Sequence, residues 1–223
     1  MEIAIVGGTG GLGYGLAVRL ARQGAQVVIG SRTAEKAQVA ADKARSVLGE
    51  TVSVEGGANP EVVKSARVVM VTVPFPGQAD TYRTIKDSLA PGAAVIDCTV
   101  PLASEVGGRA TRMIGVWEGS AAQQARGILG RAVAMASAFH TVMAGALEDV
   151  GRPLDQDILA CGDTEGREAA SQIVGLIPGA RFIDCGPLEV ARILESLTAL
   201  LIGINHRYRL DPGAGIRISG LAP

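Results

Sequence analysis

Glu2-Ile3-Ala4-Ile5-Val6-Gly7-Gly8-Thr9-Gly10-Gly11-Leu12-Gly13 opens the chain, and the order of residue types in it decides the fold. A short apolar run reads as a buried strand, and the glycines then turn the chain into a helical stretch. Gly8, Gly10 and Gly13 fit the G-x-G-x-x-G spacing of a βαβ dinucleotide site. In such a site the first glycine permits the tight turn, the second lets backbone approach a pyrophosphate, and the third lets helix and strand pack closely. Free N–H groups and the positive end of the helix dipole then hold the phosphates. A second strand, Gln26-Val27-Val28-Ile29, ends in Gly30-Ser31-Arg32, with Lys36 one turn on. A site that prefers NAD usually carries Asp or Glu here for the ribose 2′-hydroxyl, and a carboxylate would repel a 2′-phosphate. Ser31, Arg32 and Lys36 instead suit NADP. Glycine makes up 30 of the 223 residues, so the motif alone is weak. Its specificity comes from the strand before it, the helix after it and the cationic end of the next strand.

The rest of the composition agrees with a buried parallel sheet: apolar, glycine-rich and long enough for one large α/β unit with a small satellite. Lys plus Arg (21) nearly balance Asp plus Glu (22), which argues against a nucleic-acid or anionic-membrane surface. No apolar run reaches the length of a membrane span, and the chain opens straight into a core strand, so a cytoplasmic protein is expected. Cys98, Cys161 and Cys185 are widely spaced and read as buried small hydrophobes. With His140 and His206 the only histidines, no metal site is expected.

Strand and helix alternate along the first half. A helix is expected over Thr33–Leu48, a short strand over Thr51–Val54, and a break at Gly56-Gly57. Asn59-Pro60 reads as a capped helix start. Arg67–Val73 and Ala93–Cys98 are the strongest core strands, ending in Pro74-Phe75-Pro76-Gly77 and Thr99-Val100-Pro101. This βαβ repetition predicts right-handed crossovers and a ligand crevice beyond the strands' carboxyl ends, where Gly7–Gly13, Val73–Gly77 and Thr99–Pro101 converge. Further strands are expected to end at Phe139-His140-Thr141, at Cys161-Gly162 and at Asp184. The last long helix, about Glu189–Tyr208, places Ile193, Leu194, Leu197, Leu201 and Ile204 on one face. The prediction is a Rossmann-like, doubly wound parallel sheet over residues 1–140, with a smaller C-terminal α/β domain over 141–223.

Across nearly its whole length the chain resembles the NADPH-dependent reductases of coenzyme F420, a deazaflavin. The likeness is carried by Gly7–Gly13, Gly30-Ser31-Arg32 with Lys36, Val73-Pro74, Val100-Pro101 and Gly119-Ser120-Ala121-Ala122. It continues through Ala138-Phe139-His140-Thr141, Cys161-Gly162-Asp163, Asp184–Leu188 and Glu195-Ser196-Leu197-Thr198. The resemblance implies that Thr9, Gly10, Gly11 and Leu12 meet the pyrophosphate side of NADP, and that Ser31, Arg32 and Lys36 hold its 2′-phosphate. It also implies that Val100 and Ala144 lie near the nicotinamide half, and that His140 faces a deazaflavin in the cleft between the two domains. Position 11 is Gly where a relative of that family carries Asn, which removes a side-chain contact but no backbone donor.

Hydride exchange between two such carriers asks for stacking and alignment, not for a nucleophile or a strong base. The absence of a catalytic dyad is then expected. Tyr82 and Lys86, four apart, read as a solvated helix face. His140 is the polar group expected at the reacting rings. Two rival readings remain open: a reductase of a flavin, ferric chelate or imine, and a non-catalytic NADP-sensing module. A homodimer is expected because closed pairs are the commonest assemblies.

Overall fold

Alternate residues of each strand face opposite sides of a sheet, and here both sides are covered. The computed structural model describes residues 1–49 and 51–221. Strands β1 (Glu2–Val6), β2 (Gln26–Ser31), β3 (Val54–Ala58), β4 (Val68–Val71), β5 (Ala94–Asp97), β6 (Ala134–Ala138), β7 (Gln156–Gly162) and β8 (Ala180–Asp184) form one sheet. Their spatial order is β3-β2-β1-β4-β5-β6-β7-β8. The helices are α1 (Gly11–Arg22), α2 (Ala34–Leu48), α3 (Asn59–Val62), α4 (Gln78–Ile85), α5 (Ala121–Leu129), α6 (Ala144–Glu148), α7 (Thr164–Gly175) and α8 (Ala191–Tyr208).

Ile3 and Ile5 of β1 pack with Leu16, Leu20, Ala37, Ala41, Leu147 and Ile173, so α1, α2, α6 and α7 share one core. Ala4 and Val6 face the other way, into Val62, Tyr82, Ile85, Ala125 and Leu194 of α3, α4, α5 and α8. This is the doubly wound α/β arrangement the periodicity predicts. Strands β1 to β6 run parallel, and the order reverses at β1, which lies between β2 and β4. Residues after 140 add β7 antiparallel to β6, pairing Ala136 with Gly162 and Ala138 with Ala160, and β8 parallel to β7.

Three local readings are corrected. The strand expected over Thr51–Val54 runs instead through Val54–Ala58, across the two glycines read as a break. The reason is close packing: a Cβ at Gly56 would lie 2.4 Å from the Ala37 carbonyl carbon, so only glycine lets α2 lie on this strand. Asn59 does not cap α3 but begins it, with Ala58 in the cap position. On α8, Leu194 and Leu201 are buried as expected, but Ile193 is 55% exposed, and the helix buries Glu195 along with Ala191 and Ala199.

The end of the described chain is fastened to β7 and β8 by charge. Arg181 grips both oxygens of buried Asp157 at 2.8 and 2.7 Å, and also donates to the carbonyls of Ile218 and Leu221. Asp157 accepts from the Ile218 N–H as well, and these donors hold its carboxyl down to about 2.

Candidate active site

Strand β1 stops where the glycine loop begins, and the loop is set by backbone hydrogen bonds from Gly8 N–H to the carbonyls of Ile5 and Gly30. A Cβ at Gly13 would meet Thr72 Oγ1 at 2.4 Å and Gly8 Cα at 2.7 Å, the close helix–strand contact that the third glycine of the motif serves. Helix α1 then starts with Gly10 as its cap residue, without a side-chain cap and without an acidic residue in its first turn. Its leading N–H groups are left to whatever lies in front of them, a favourable arrangement for an anion.

Beside this loop, β2 ends at Ser31, which is buried, followed by Arg32 and Lys36 on the surface. Among the described residues neither cation is in an ion pair. The ends of β1, β4 and β5 are laced together: Thr72 Oγ1 donates to the Val6 carbonyl at 3.0 Å, and Thr99 Oγ1 donates to that of Val73 at 3.5 Å. Val73 also packs on Gly7, and Pro74 and Val100 follow directly on these strand ends. The segments after β1, β4 and β5 therefore meet at one edge of the sheet, as their order requires. Ala144 reaches the same place from α6, since a Cβ on Gly11 would lie 3.2 Å from the Ala144 Cβ.

His140 follows β6 and is only 7% exposed. Its Nε2 lies 3.0 Å from the Ser137 hydroxyl, and burial holds its imidazole down to about 4. The ring is thus neutral at ordinary pH. Its backbone carbonyl accepts from Thr198 Oγ1 of α8 at 2.8 Å, which ties the segment after β6 to the last helix. Phe139 just before it adopts φ of 68°, an unusual conformation for an aromatic residue that turns the chain out of the strand.

Sequence reasoning missed three groups that build this region. Arg19, 2% exposed, sends Nε and both terminal nitrogens to the carbonyls of Leu147, Arg152, Ala146 and Asp149, at 2.7 to 3.2 Å. One guanidinium so closes the carboxyl end of α6 and presses it against α1. Its signal was a charge inside the apolar run Leu16-Ala17-Val18-Arg19-Leu20-Ala21. Glu195, 0% exposed, accepts from the N–H groups of Ala121 and Ala122 at 3.0 and 3.1 Å, while Ser120 Oγ accepts from Gln123. Burial pushes the Glu195 carboxyl up to about 8 against the pull of those donors. The third is Asp97, fully buried, which accepts from Tyr82 Oη at 2.6 Å, Gln78 Nε2 at 2.9 Å and Thr99 N–H at 2.9 Å. Tyr82 is therefore an interior donor and not part of a solvated face, while Lys86 does lie on the surface.

Among the described residues no helix is long and apolar enough to cross a membrane. A family profile described as NADP oxidoreductase, coenzyme F420-dependent, matches residues 2–101. The F420-dependent NADP reductase of Methanothermobacter thermautotrophicus is 46% identical over 99% of this chain and 96% of its own. That of Methanocaldococcus jannaschii is 40% identical, with 99% of both chains covered. A crystal structure from Arthrobacter sp. fb24, described as a candidate F420-dependent NADP-reductase, has a TM-score of 0.81 at 23% identity, covering 98% of this chain and 99% of that one. The 3-hydroxyisobutyrate dehydrogenase of Mycobacterium tuberculosis shares the fold more distantly, at TM-score 0.59 and 18% identity over 87% of this chain and 57% of its own.

Proposed function

The chain belongs to the F420-dependent NADP reductase family, and from that premise we propose that it moves a hydride reversibly between NADP(H) and coenzyme F420. What carries the reading is the full-length relatedness, together with two cations, Arg32 and Lys36, that no carboxylate of the described residues pairs, beside an uncapped helix start. When bound, the two carriers supply the redox chemistry themselves.

The protein's part is to hold and align. Gly8, Thr9, Gly10, Gly11, Leu12 and Gly13 would give the pyrophosphate its backbone donors. Ser31, Arg32 and Lys36 would hold the 2′-phosphate. Val73 and Pro74 would wall the nucleotide, and Val100 and Ala144 would border the nicotinamide half. His140, kept neutral by burial and with one nitrogen engaged by Ser137, is suited to donate or accept a single hydrogen bond at the deazaflavin. It is not suited to deliver a proton as an imidazolium. In this division of labour residues 1–140 bind NADP, while 141–223, of which 222 and 223 lie outside the described residues, close the deazaflavin side. Exposed Ile193 and Leu200 on α8 support a subunit contact, so the working form is a homodimer in the cytoplasm.

Mixing the protein with NADPH and, in turn, F420, a flavin, a ferric chelate and an imine while following nicotinamide absorbance tests the reading. Oxidation is expected with F420. Oxidation with another acceptor alone, or tight binding with no oxidation, rejects it. His140→Ala should slow turnover with F420 about tenfold, the scale of one lost hydrogen bond, with NADPH affinity unchanged. Equal rates for the variant and the parent would remove His140 from the site.

A further inference from the structure

A cavity of about 490 Å³ lies between α1, α2 and the end of α6, and Thr9, Gly11, Tyr14, Lys36, Lys43 and Glu148 are among the residues around it. Thr9 and Lys36 tie it to the phosphate loop and to the end of β2. Tyr14 is 7% exposed, and its hydroxyl is buried with no hydrogen-bond partner among the described residues. A buried hydroxyl left so is costly unless a ligand or solvent answers it. Lys43 Nζ sits 4.2 Å from the centroid of the Tyr14 ring, a cation–π contact that holds the ring in place and keeps the ammonium at the cavity. Lys36, Ala40 and Lys43 recur at helical spacing, so one face of α2 lines this space.

The chemistry of the lining narrows the occupant. Burial, and then the nearby Glu148 carboxylate, raise the Tyr14 phenol, which keeps its proton and can donate. Glu35 and Glu148 line the same space, but among the described residues neither forms an ion pair with Lys36 or Lys43. A ligand must therefore bring strong acceptors to compete for these donors. A phosphate offers three oxygens with charge, and a ribose hydroxyl offers one without.

We infer that the Tyr14 hydroxyl and the Lys43 ammonium complete the 2′-phosphate pocket begun by Arg32 and Lys36, and that they help set the preference for NADP over NAD. This rests on the nucleotide reading given above. The site is built from two helices at once: Tyr14 comes from the helix that starts at the pyrophosphate loop, and Lys43 from the one that follows the ribose-binding strand.

The test is the binding of NADPH and of NADH to the full chain and to Tyr14→Phe, Lys43→Met and Arg32→Gln, with the melting temperature of each free protein. Tyr14→Phe keeps the ring and its lysine. It should weaken NADPH binding about tenfold, leave NADH within about twofold, and not lower the melting temperature, because the hydroxyl it removes bonds to no group among the described residues. Lys43→Met should act in the same direction by roughly threefold, the smaller effect of a solvent-exposed charge. NADPH binding unchanged in both variants, equal losses for both nucleotides, or a melting temperature lowered by Tyr14→Phe would each overturn the inference. Arg32→Gln separates the two levels. If it alone reduces the NADPH preference, the Tyr14–Lys43 assignment fails; if it too leaves the preference intact, the 2′-phosphate reading itself fails.

Discussion

Helices α1 and α5 both begin after a glycine-containing turn, and both present the unpaired N–H groups common to every helix start. They answer that need in opposite ways. At α5 the chain supplies the partners: Ser120 caps from within, and Glu195 arrives from α8, 73 to 74 residues away in sequence, to take the N–H groups of Ala121 and Ala122. At α1 no side chain caps the start and the first turn holds no acid, while Arg32 and Lys36 follow the neighbouring strand β2. The contrast separates a helix start fastened into the fold from one left open for an anion. Helix polarity alone would not distinguish them; the deciding observation is whether a side-chain acceptor is already there.

The comparison can be broken most forcefully by making α1 resemble α5. Gly10 has extended backbone angles, and a Cβ there would meet only the Gly7 carbonyl oxygen at 3.6 Å, so Gly10→Asp fits. It should stabilise the free protein by a few tenths of a kcal/mol as a cap, yet weaken NADPH binding on the order of 3 kcal/mol by placing a carboxylate where the pyrophosphate belongs. Calorimetric titration and a thermal melt read both signs. Unchanged binding would mean that the open helix start is not the phosphate site. Next in size is the converse change. Glu195→Ala uncovers buried N–H groups at α5 and should cost roughly 2–3 kcal/mol in denaturant unfolding. Arg32→Gln sharpens the picture at the neighbouring strand end, with an expected loss of about 1.5–3 kcal/mol in NADPH binding and almost none for NADH.

The smallest effect concerns pH. The Glu195 carboxyl is raised in the folded protein from 4.5 to about 8, so the fold holds this proton more tightly than the unfolded chain does. The stability linked to it is fully present below the unfolded value and is lost as pH rises towards 8. Glu195→Gln, neutral throughout, should flatten that decline, which unfolding curves between pH 5 and pH 6 would already reveal as a difference on the order of 1 kcal/mol. Parallel curves for the two proteins would place the proton elsewhere.

How much of this was legible in the sequence follows from the range of each interaction. The glycine loop, the strand β4 and the cationic end of β2 are written in neighbouring residues, and the structure places them as read. The assignments that needed a distant partner were not accessible. Arg19 finds its carbonyls 127 to 133 positions away, so its neighbours in sequence gave only the oddity of a charge in an apolar helix. Glu195 was left off the apolar face of the last helix because periodicity ranks side chains by polarity and cannot foresee two waiting N–H groups. Tyr82 was misread for the same reason, its partner Asp97 being on a strand the helix lies against. Gly56 failed differently, since a strand glycine needed by a neighbouring helix is indistinguishable in sequence from a turn.

Because β7 is hydrogen-bonded directly to β6, the parts of the chain before and after residue 140 belong to one continuous backbone lattice. Swinging them apart like jaws would tear that ladder, so no hinge is available at the place where one would serve a closing motion. The placement of the parts before and after residue 140 relative to one another is therefore set by this ladder when the chain folds.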